Sequence, residues 1–354
     1  MKRIVLVGGG TAGHVEPALA VAKAIRSISS NCQLEFIGTK SGIEVELLVD
    51  QEIIFSPILK VPFPRRLEFK TFWWPFKFLA ATLQSLAAIK GSDLVIGFGG
   101  YVSAPAYLAA YFLRVPIIIH EANAKPGLAN RFGARFARNL FISFPGAKAT
   151  GGRWSKAFNS GLPIKSEIDN FDFQSVSRNK ELFLKSIGLG NKRTLLVFGG
   201  SLGAQKINQV INKCAADIEN LGWNLIQVVG GKNSTTQASA NFVSLQYIQD
   251  MAGAYSAADY VICRAGAVTC AELMAVGLPA LLIPLPIGNG EQIANAQELV
   301  DSGQAQVISN QDFDEEWLKA NLGQLLQERS RREGKPRRAA EIIAKRALDL
   351  LGNN

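Results

Sequence analysis

The sequence contains only two histidines and four cysteines, and each shortage excludes a class of protein. His14 and His120 are too few for a three-histidine zinc site. The cysteines include no C-x-x-C pair and are too few for a disulfide scaffold, so we expect four small, buried, reduced side chains. A Gly-Lys-Ser/Thr triplet is absent as well, which excludes a Walker-type phosphate loop.

Long hydrophobic runs are scarce. Residues 4–7 are the only apolar run directly after Met1-Lys2-Arg3, and four residues are too short for the core of a signal peptide. Residues 94–113 carry no charge, but three glycines and Pro105 interrupt them. We therefore expect a strand, a glycine turn and a helix there rather than a membrane-spanning helix.

The chain of 354 residues is 48% apolar and carries 33 glycines, which is a globular composition with room for two domains. Short, continuously apolar segments alternate with helix-length patterns, as is typical of parallel sheets that are covered on both faces. The predicted strands are 4–7, 34–37, 53–58, 94–96, 117–119, 140–142, 194–198, 225–229, 260–263 and 280–283. These patterns predict an α/β protein of two doubly wound, Rossmann-like domains that face a cleft.

The domain boundary is predicted near Gly161-Leu162-Pro163, where the sequence becomes richer in glycine, serine and charge. We predict an N-terminal domain over 1–160 and a second domain over 161–335. Residues 336–354 are predicted to form a helix that returns to the first domain.

Gly8-x-Gly10-x-x-Gly13 follows the first strand and matches the dinucleotide fingerprint. The second predicted strand does not end in the acidic residue that would bind a ribose hydroxyl, which makes NAD binding a weak reading. His14 directly follows this turn, and Glu121 ends another predicted strand at the same edge. Both are candidates for a general base.

Gly199-x-Ser201-x-Gly203 has the spacing of the nucleophile elbow of α/β-hydrolases. That fold needs a histidine after the serine, and both histidines precede it, so an anion cradle is the better reading. The block from Arg264 to Glu272 runs from a strand into a helix. The turn at Gly266 could present N–H groups to a phosphate, with Glu272 further along the helix.

These motifs together resemble the bacterial UDP-N-acetylglucosamine:undecaprenyl-pyrophosphoryl-N-acetylmuramyl-pentapeptide N-acetylglucosaminyltransferases (MurG type), which convert lipid I to lipid II. The matching pieces, in family order, are Gly8–His14 with Pro17, Gly99–Ser103, His120–Asn123 with Pro126–Leu128, Gly199–Ala204, Arg264–Glu272, and Gln292 with Asn295-Ala296. The resemblance implies an inverting hexosyltransferase of the GT-B type that uses no metal or other cofactor. It also implies a role in peptidoglycan synthesis, cell shape and division.

The resemblance assigns the donor, UDP-N-acetylglucosamine, mainly to the second domain. The backbone near Ile248 would contact the uracil, Glu272 the ribose, and Gln292 the sugar hydroxyls. Donor contacts are implied for Thr11, Ala12, Gly13, Asn123, Lys165, Ser201, Ile248, Arg264, Ala267, Val268, Thr269, Cys270, Ala271, Glu272 and Gln292. The family arginine is replaced by Lys165, which supplies positive charge but not a bidentate fork.

The lipid I acceptor is assigned to the first domain, with implied contacts at Gly9, Gly10, Gly100, Tyr101 and Asn130. His14 is the preferred base, and Glu121 is either the alternative base or the group that orients it. Aromatic and basic residues alternate in 60–77, which predicts docking of Phe72, Trp73, Trp74 and Phe76 on an anionic membrane. The expected location is therefore peripheral, on the cytoplasmic face of the plasma membrane, where other cell-wall or division proteins are possible partners.

Three other readings remain open at this point. The same fold could serve another nucleotide-sugar-dependent glycosyltransferase with a lipid or small-molecule acceptor. The net charge of +9 and the basic tail after residue 328 would suit a nucleic-acid binder, although acidic residues interrupt the tail and no DNA-binding motif is evident, so no nucleic-acid partner is expected. A membrane-binding module without catalysis is the third reading.

Overall fold

The computed structural model describes residues 1–49, 51–64, 72–200, 203–231, 233–236, 238–286, 290–327 and 333–352. The chain forms two compact units. Unit 1 consists of Met1–Lys165 and Arg337–Asn354, and unit 2 of Ser166–Pro336. The boundary predicted from the sequence, between residues 160 and 161, precedes the structural one by a few residues.

All strands pair in parallel, and helices connect most of them. The strands are β1 (Lys2–Val7), β2 (Cys32–Gly38), β3 (Ile54–Pro57), β4 (Leu94–Gly97), β5 (Ile117–Glu121), β6 (Asn139–Ile142), β7 (Phe158–Asn159), β8 (Thr194–Phe198), β9 (Asn224–Val228), β10 (Phe242–Leu245), β11 (Tyr260–Cys263), β12 (Ala280–Leu282) and β13 (Ala305–Val307). The helices are α1 (Ala12–Ile28), α2 (Glu44–Leu47), α3 (Trp74–Ile89), α4 (Ser103–Phe112), α5 (Leu128–Gly133), α6 (Ser166–Asp169), α7 (Val176–Ser186), α8 (Gln205–Asn220), α9 (Met251–Ala257), α10 (Ala267–Val276), α11 (Glu291–Asp301), α12 (Glu315–Leu326) and α13 (Ala339–Gly352). Two 3-10 helices span Pro145–Thr150 and Gly152–Lys156.

Unit 1 contains a seven-stranded sheet in the order β3-β2-β1-β4-β5-β6-β7. The strand order reverses between β1 and β4, so a crevice is expected beyond the carboxyl ends of these two strands. One apolar core lies on each face of the sheet. The continuous apolar runs of the strands are explained by this two-sided burial.

Helix α13 completes one of these cores, although it follows all of unit 2 in the sequence. Ile343, Ala347 and Leu350 are buried in the cluster that covers α1 and β1. Just before the helix, the Arg337 guanidinium donates to Oδ1 of Asn159 over 3.3 Å. The first unit is therefore built from two separate stretches of chain.

Unit 2 repeats the arrangement with six strands in the order β10-β9-β8-β11-β12-β13. Here the order reverses between β8 and β11, where Phe198 lies opposite Cys263. The two Rossmann-like sheets confirm the predicted fold class.

One smaller sequence prediction is also confirmed, since all four cysteines are buried and free. Asp314 caps α12 by accepting a 2.8 Å hydrogen bond from the Trp317 N–H. Residues 328–332, the first part of the basic tail, lie outside the described residues. Within the described ranges, no helix is both long and apolar enough to cross a membrane.

Candidate functional site

The first candidate site lies beyond β1 and β4, where two glycine turns contact each other through their backbones. Gly100 has φ +84°, and a methyl group on its Cα would come within 2.1 Å of the Gly9 carbonyl oxygen. Only glycine therefore permits this contact. Gly99 lies beside the His14 ring and the Asn130 amide, since a Cβ there would be 3.2 Å from both side chains.

His14 is in the first turn of α1, and its ring is positioned by this turn. Nδ1 lies 3.1 Å from Oγ1 of Thr11. The surrounding protein desolvates the imidazolium and lowers the pKa of His14, and a hydrogen bond to the Gly9 backbone offsets part of this effect. The neutral ring, which is the form able to accept a proton, is therefore favoured.

Glu121 ends β5 and is buried, with four hydrogen-bond donors around its carboxylate. Oε1 accepts from the backbone N–H of Asn123 at 2.9 Å and from its amide at 3.4 Å. Oε2 accepts from the Gly127 N–H at 3.0 Å and from Nδ2 of Asn130 at 2.9 Å. Burial raises the pKa of Glu121, and these hydrogen bonds act in the opposite direction. The geometry favours a role in organising the loop over the role of base.

Asn130 was predicted to contact the acceptor, but its side chain lies in the interior. Its Oδ1 accepts a 2.8 Å hydrogen bond from the Tyr107 hydroxyl, and its Nδ2 donates to Glu121 and to the His120 carbonyl. His120 is also internal. Burial lowers the pKa of His120 to about 4, and its Nε2 lies 3.0 Å from the Gly161 carbonyl oxygen. Both side chains therefore support the site through internal hydrogen bonds.

The remaining predicted residues of unit 1 are more open. Thr11 is exposed, while Ala12, Gly13, Asn123 and Tyr101 are half-buried at the same edge of the sheet. The Tyr101 ring lies over Gly10, where a Cβ would be 2.7 Å from Cε1 of the ring. Lys165 is exposed, and its Nζ lies 4.0 Å from Oε1 of Glu16, a residue near the start of α1.

Sequence reasoning missed Glu44, which begins α2 and is completely buried. Its Oε1 accepts from the N–H and the hydroxyl of Thr39, at 2.7 and 2.9 Å. A Cβ on Gly9 would be 3.0 Å from this same oxygen, so the carboxylate lies against the first glycine turn. The only sequence signal for Glu44 is its position soon after the end of a strand, beside glycines. That signal does not reveal which groups its carboxylate contacts.

The second candidate site lies beyond β8 and β11 in unit 2. Gly199 and Gly200 follow β8, and Gly266 precedes α10, which begins without a side-chain cap. Because Phe198 and Cys263 are opposite each other, the glycine turn and the helix N-terminus lie at the same edge of the sheet. Ala267, Val268 and Thr269 are half-buried there, and N–H groups in such a position bind phosphate well. Ser201 lies outside the described residues.

Glu272 projects from α10 into a buried polar contact that the sequence did not reveal. The Tyr255 hydroxyl donates a 2.8 Å hydrogen bond to its Oε2. Arg264 is also buried, and its guanidinium donates to the Ile283 carbonyl oxygen over 3.0 Å. Desolvation lowers the pKa of Arg264 and raises that of the Cys270 thiol to about 12. The Cys270 side chain is in the core, so only its backbone could serve the site.

Ile248, Ala271 and Gln292 complete the predicted set. Ile248 is buried just before α9, and Ala271 is half-buried on α10. Oε1 of Gln292 accepts a 2.8 Å hydrogen bond from the Leu285 N–H, which fixes the side chain at the start of α11. Within the described part of the chain, no three His, Cys, Asp or Glu side chains are grouped so that they could hold a metal ion.

Comparison with known proteins agrees with two glycosyltransferase domains. Residues 4–142 match the model for the glycosyltransferase family 28 N-terminal domain, and residues 194–351 match that for the family 28 C-terminal domain. The solved structure of Acinetobacter baumannii MurG is similar over 99% of this chain and 100% of its own, with a TM-score of 0.72 and 30% identity. That likeness supports the GT-B type of fold.

Two curated relatives show to which group of glycosyltransferases the chain is similar. A protein of Thermobifida fusca is 41% identical over 93% of this chain and 87% of its own length. A Streptomyces coelicolor protein is 41% identical over 98% of this chain and 96% of its own. Both are named UDP-N-acetylglucosamine--N-acetylmuramyl-(pentapeptide) pyrophosphoryl-undecaprenol N-acetylglucosamine transferase. The chain therefore belongs to glycosyltransferase family 28, in the group of N-acetylglucosaminyltransferases that carry this name.

Proposed function

We propose that the chain transfers N-acetylglucosamine from UDP-N-acetylglucosamine to the 4-hydroxyl of the muramyl residue of lipid I, which gives lipid II. The observation that carries this proposal is the pair of glycine turns, one at each point where the strand order reverses, in a chain 41% identical to transferases of that name. The reaction is a single displacement with inversion, so an α-linked donor gives a β-1,4 linkage.

Unit 2 holds the donor in this proposal. The uncapped N-terminus of α10 and the turn at Gly199-Gly200 bind the diphosphate through their N–H groups. The buried carboxylate of Glu272, oriented by Tyr255, accepts hydrogen bonds from the ribose. As the bond to the sugar breaks, these N–H groups stabilise the negative charge that develops on the departing UDP. The positive charge of Arg264, in the same unit, acts in the same direction.

Unit 1 holds the acceptor, with its diphosphate beside Gly9, Gly10 and Gly100. His14 removes the proton from the muramyl hydroxyl as that oxygen attacks the anomeric carbon. Its lowered pKa keeps the imidazole in the neutral form, which can accept the proton. Glu121 acts by holding Asn123, Gly127 and Asn130 in place.

The test is incubation of the protein with UDP-N-acetylglucosamine and lipid I, followed by measurement of UDP and of the disaccharide lipid. Formation of both products in equal amounts is expected, and Glu272→Ala should strongly lower both at a subsaturating donor concentration. UDP-glucose and UDP-N-acetylgalactosamine are the matched donor controls. Transfer to other lipid or small-molecule acceptors, with none to lipid I, would favour another glycosyltransferase of this fold.

Peripheral binding to the cytoplasmic face of the plasma membrane is part of the proposal, because the acceptor is a lipid. Exposed apolar side chains recur at helical spacing on α3 or just before it, and we call them the aromatic stripe. They are Phe72, Phe76, Leu79 and Leu83, which are 57–71% exposed, and the neighbouring Trp73, which is 55% exposed. Trp74 faces inward, since its Nε1 donates to the Pro62 carbonyl and its ring stacks on Phe78. Residues 65–71 of the predicted docking segment lie outside the described residues. Binding to other cell-wall or division proteins stays a prediction.

A further inference from the structure

One backbone carbonyl in the interior of unit 2 accepts hydrogen bonds from two asparagine side chains. Nδ2 of Asn208, in the first turn of α8, donates to the Val229 carbonyl oxygen over 3.0 Å. Nδ2 of Asn233 donates to the same oxygen over 2.8 Å. Asn208 and Val229 are both buried. Because a carbonyl oxygen has two lone pairs, these two amides satisfy it fully.

The Val229 carbonyl lies against the glycine turn that follows β8. Gly203 has φ +75°, and a Cβ on it would be 2.1 Å from the Val229 oxygen and 2.6 Å from Nδ2 of Asn233. Only glycine therefore fits between these groups. The Gly203 N–H donates to the Gly200 carbonyl oxygen over 2.9 Å and so closes the turn. The position of the Val229 carbonyl therefore determines where this turn lies.

Two further contacts fix the carbonyl relative to the sheet and to α8. The Val229 N–H donates to the Leu245 carbonyl oxygen, at the end of β10, over 2.9 Å. Gln227 is completely buried on β9, and its Nε2 donates to the backbone oxygen of Asn208 over 3.2 Å. Oδ1 of Asn208 has no hydrogen-bond partner among the described residues. Replacing the Asn208 side chain thus removes the bond to Val229 and leaves the backbone contact with Gln227.

Asn224 is a structural counterpart at the other end of β9. It is completely buried, and its Nδ2 donates to the Gly190 carbonyl oxygen over 2.7 Å. Asn224 begins β9, whereas Val229 directly follows the end of that strand. The side chains of Asn208 and Asn224 therefore act at opposite edges of the same sheet. Ligands of doubly wound sheets bind beyond the carboxyl ends of the strands, so only the contact of Asn208 is on the ligand side.

We propose that Asn208 is a positioning residue for the donor diphosphate and acts through the Val229 carbonyl on the turn at Gly199-Gly200. A turn that is fixed before binding presents its N–H groups to the diphosphate without a cost of reorganisation. This inference rests on the proposed binding of the donor at that turn. It adds a selective effect, because the contact of Asn208 supports the diphosphate and not the nucleoside, whose ribose is assigned to Glu272.

The test compares Asn208→Ala with the matched control Asn224→Ala, since each removes a buried asparagine side chain from the same sheet. The affinities for UDP and for uridine are measured by calorimetry, with uridine titrated in competition with UDP. Asn208→Ala should weaken UDP binding by about three- to ten-fold, the loss expected for one orienting hydrogen bond, and leave uridine binding unchanged. Asn224→Ala should change neither affinity.

A proportional loss of UDP and uridine affinity in Asn208→Ala would give the residue a merely structural role and overturn the inference, as would undiminished UDP binding. A selective loss of UDP affinity in Asn224→Ala would overturn it too, because the effect would not depend on the edge of the sheet. Thermal unfolding checks the fold of both variants. If Asn208→Ala fails to fold, Asn233→Ala replaces it, since it removes a half-buried side chain from the same carbonyl. The same selective loss is then expected, and unchanged UDP binding would contradict the proposal.

Two measurements on the wild type separate failure of this inference from failure of the proposed function. UDP should bind more tightly than uridine, and equal affinities would contradict the diphosphate site and this inference together. Binding of UDP without transfer of N-acetylglucosamine to lipid I would contradict the proposed function but leave the comparison of the asparagine variants valid.

Discussion

The Tyr255 hydroxyl donates a 2.8 Å hydrogen bond to Oε2 of Glu272, and both side chains are buried in unit 2. A hydrogen bond to a charged group contributes about 1.5–3 kcal/mol, so this contact can hold the carboxylate in one orientation.

Glu272→Ala is expected to weaken UDP binding by about 100-fold, because a carboxylate paired with two ribose hydroxyls contributes up to roughly 3 kcal/mol. Calorimetry with UDP measures the effect.

Tyr255→Phe should weaken UDP binding by only about three- to ten-fold, since the carboxylate remains but is less well oriented. If Tyr255 acts through Glu272, adding Tyr255→Phe to Glu272→Ala should have no further effect on the affinity. Additive losses in this double-mutant cycle would mean that Tyr255 contributes to the site independently. An unchanged affinity in Glu272→Ala would disprove the ribose assignment.

His14→Ala should lower turnover by about 10²- to 10⁴-fold, with little change in UDP affinity, because a general base acts on the acceptor. Burial lowers the pKa of His14, so the reactive neutral ring persists to a lower pH than an ordinary imidazole with its pKa of 6.5. The acid limb of the kcat/KM profile should therefore lie below pH 6.5. Thr11→Val, which removes the contact with Nδ1, is the milder control. An acid limb well above pH 6.5 would argue against His14.

Glu121→Gln should destabilise unit 1 by about 1–3 kcal/mol, because its amide group would meet an N–H donor where the carboxylate now accepts. Since burial raises the pKa of Glu121, its contribution to stability is full below the unfolded value of 4.5 and declines as pH rises through the folded value. The advantage of the wild type over Glu121→Gln should thus be larger at pH 4.5 than at pH 7.5 in denaturant unfolding. Loss of turnover with unchanged stability would instead identify Glu121 as the base.

Replacing Phe72, Trp73 and Phe76 by serine should abolish sedimentation with anionic vesicles and spare transfer to a short-chain acceptor. All three side chains are more than half exposed, so little core packing is lost. Trp74→Phe is the matched control, because it removes the hydrogen bond to Pro62 from an inward-facing ring. It should lower thermal stability without affecting vesicle binding. Equal loss of activity on both acceptors in the serine variant would show that the stripe is structural.

Glu44→Ala should raise the KM for the acceptor and leave UDP affinity unchanged, since Glu44 lies against Gly9 in unit 1. Glu44→Gln keeps one oxygen for Thr39 and should recover most of the acceptor affinity. A merely structural role would lower stability in both variants without this recovery. Kinetics at varied acceptor and saturating donor distinguish the two cases.

Ten of the thirteen strands in the described ranges and the two glycine turns could be predicted, because buried parallel strands leave continuous apolar runs and the turns follow them directly. The strands β7, β10 and β13 were not predicted. The inward direction of Trp74 could not be predicted, since it depends on a carbonyl oxygen twelve residues earlier and on rings that pack only after folding. For the same reason, Glu44 was missed and Asn130 was assigned to the acceptor although its side chain is buried. Their partners come from neighbouring strands and loops, and the local pattern shows periodicity but not distant partners.

Helix α13 has a consequence for the order in which the protein is made. Its side chains Ile343, Ala347 and Leu350 are part of the core of unit 1, but residues 166–336, which form unit 2, leave the ribosome first. At about 5–20 residues per second, the apolar surface of α1 waits on the order of 10–30 s for its cover. During synthesis the first unit is thus the last to be completed, and its uncovered surface is where a chaperone would be needed.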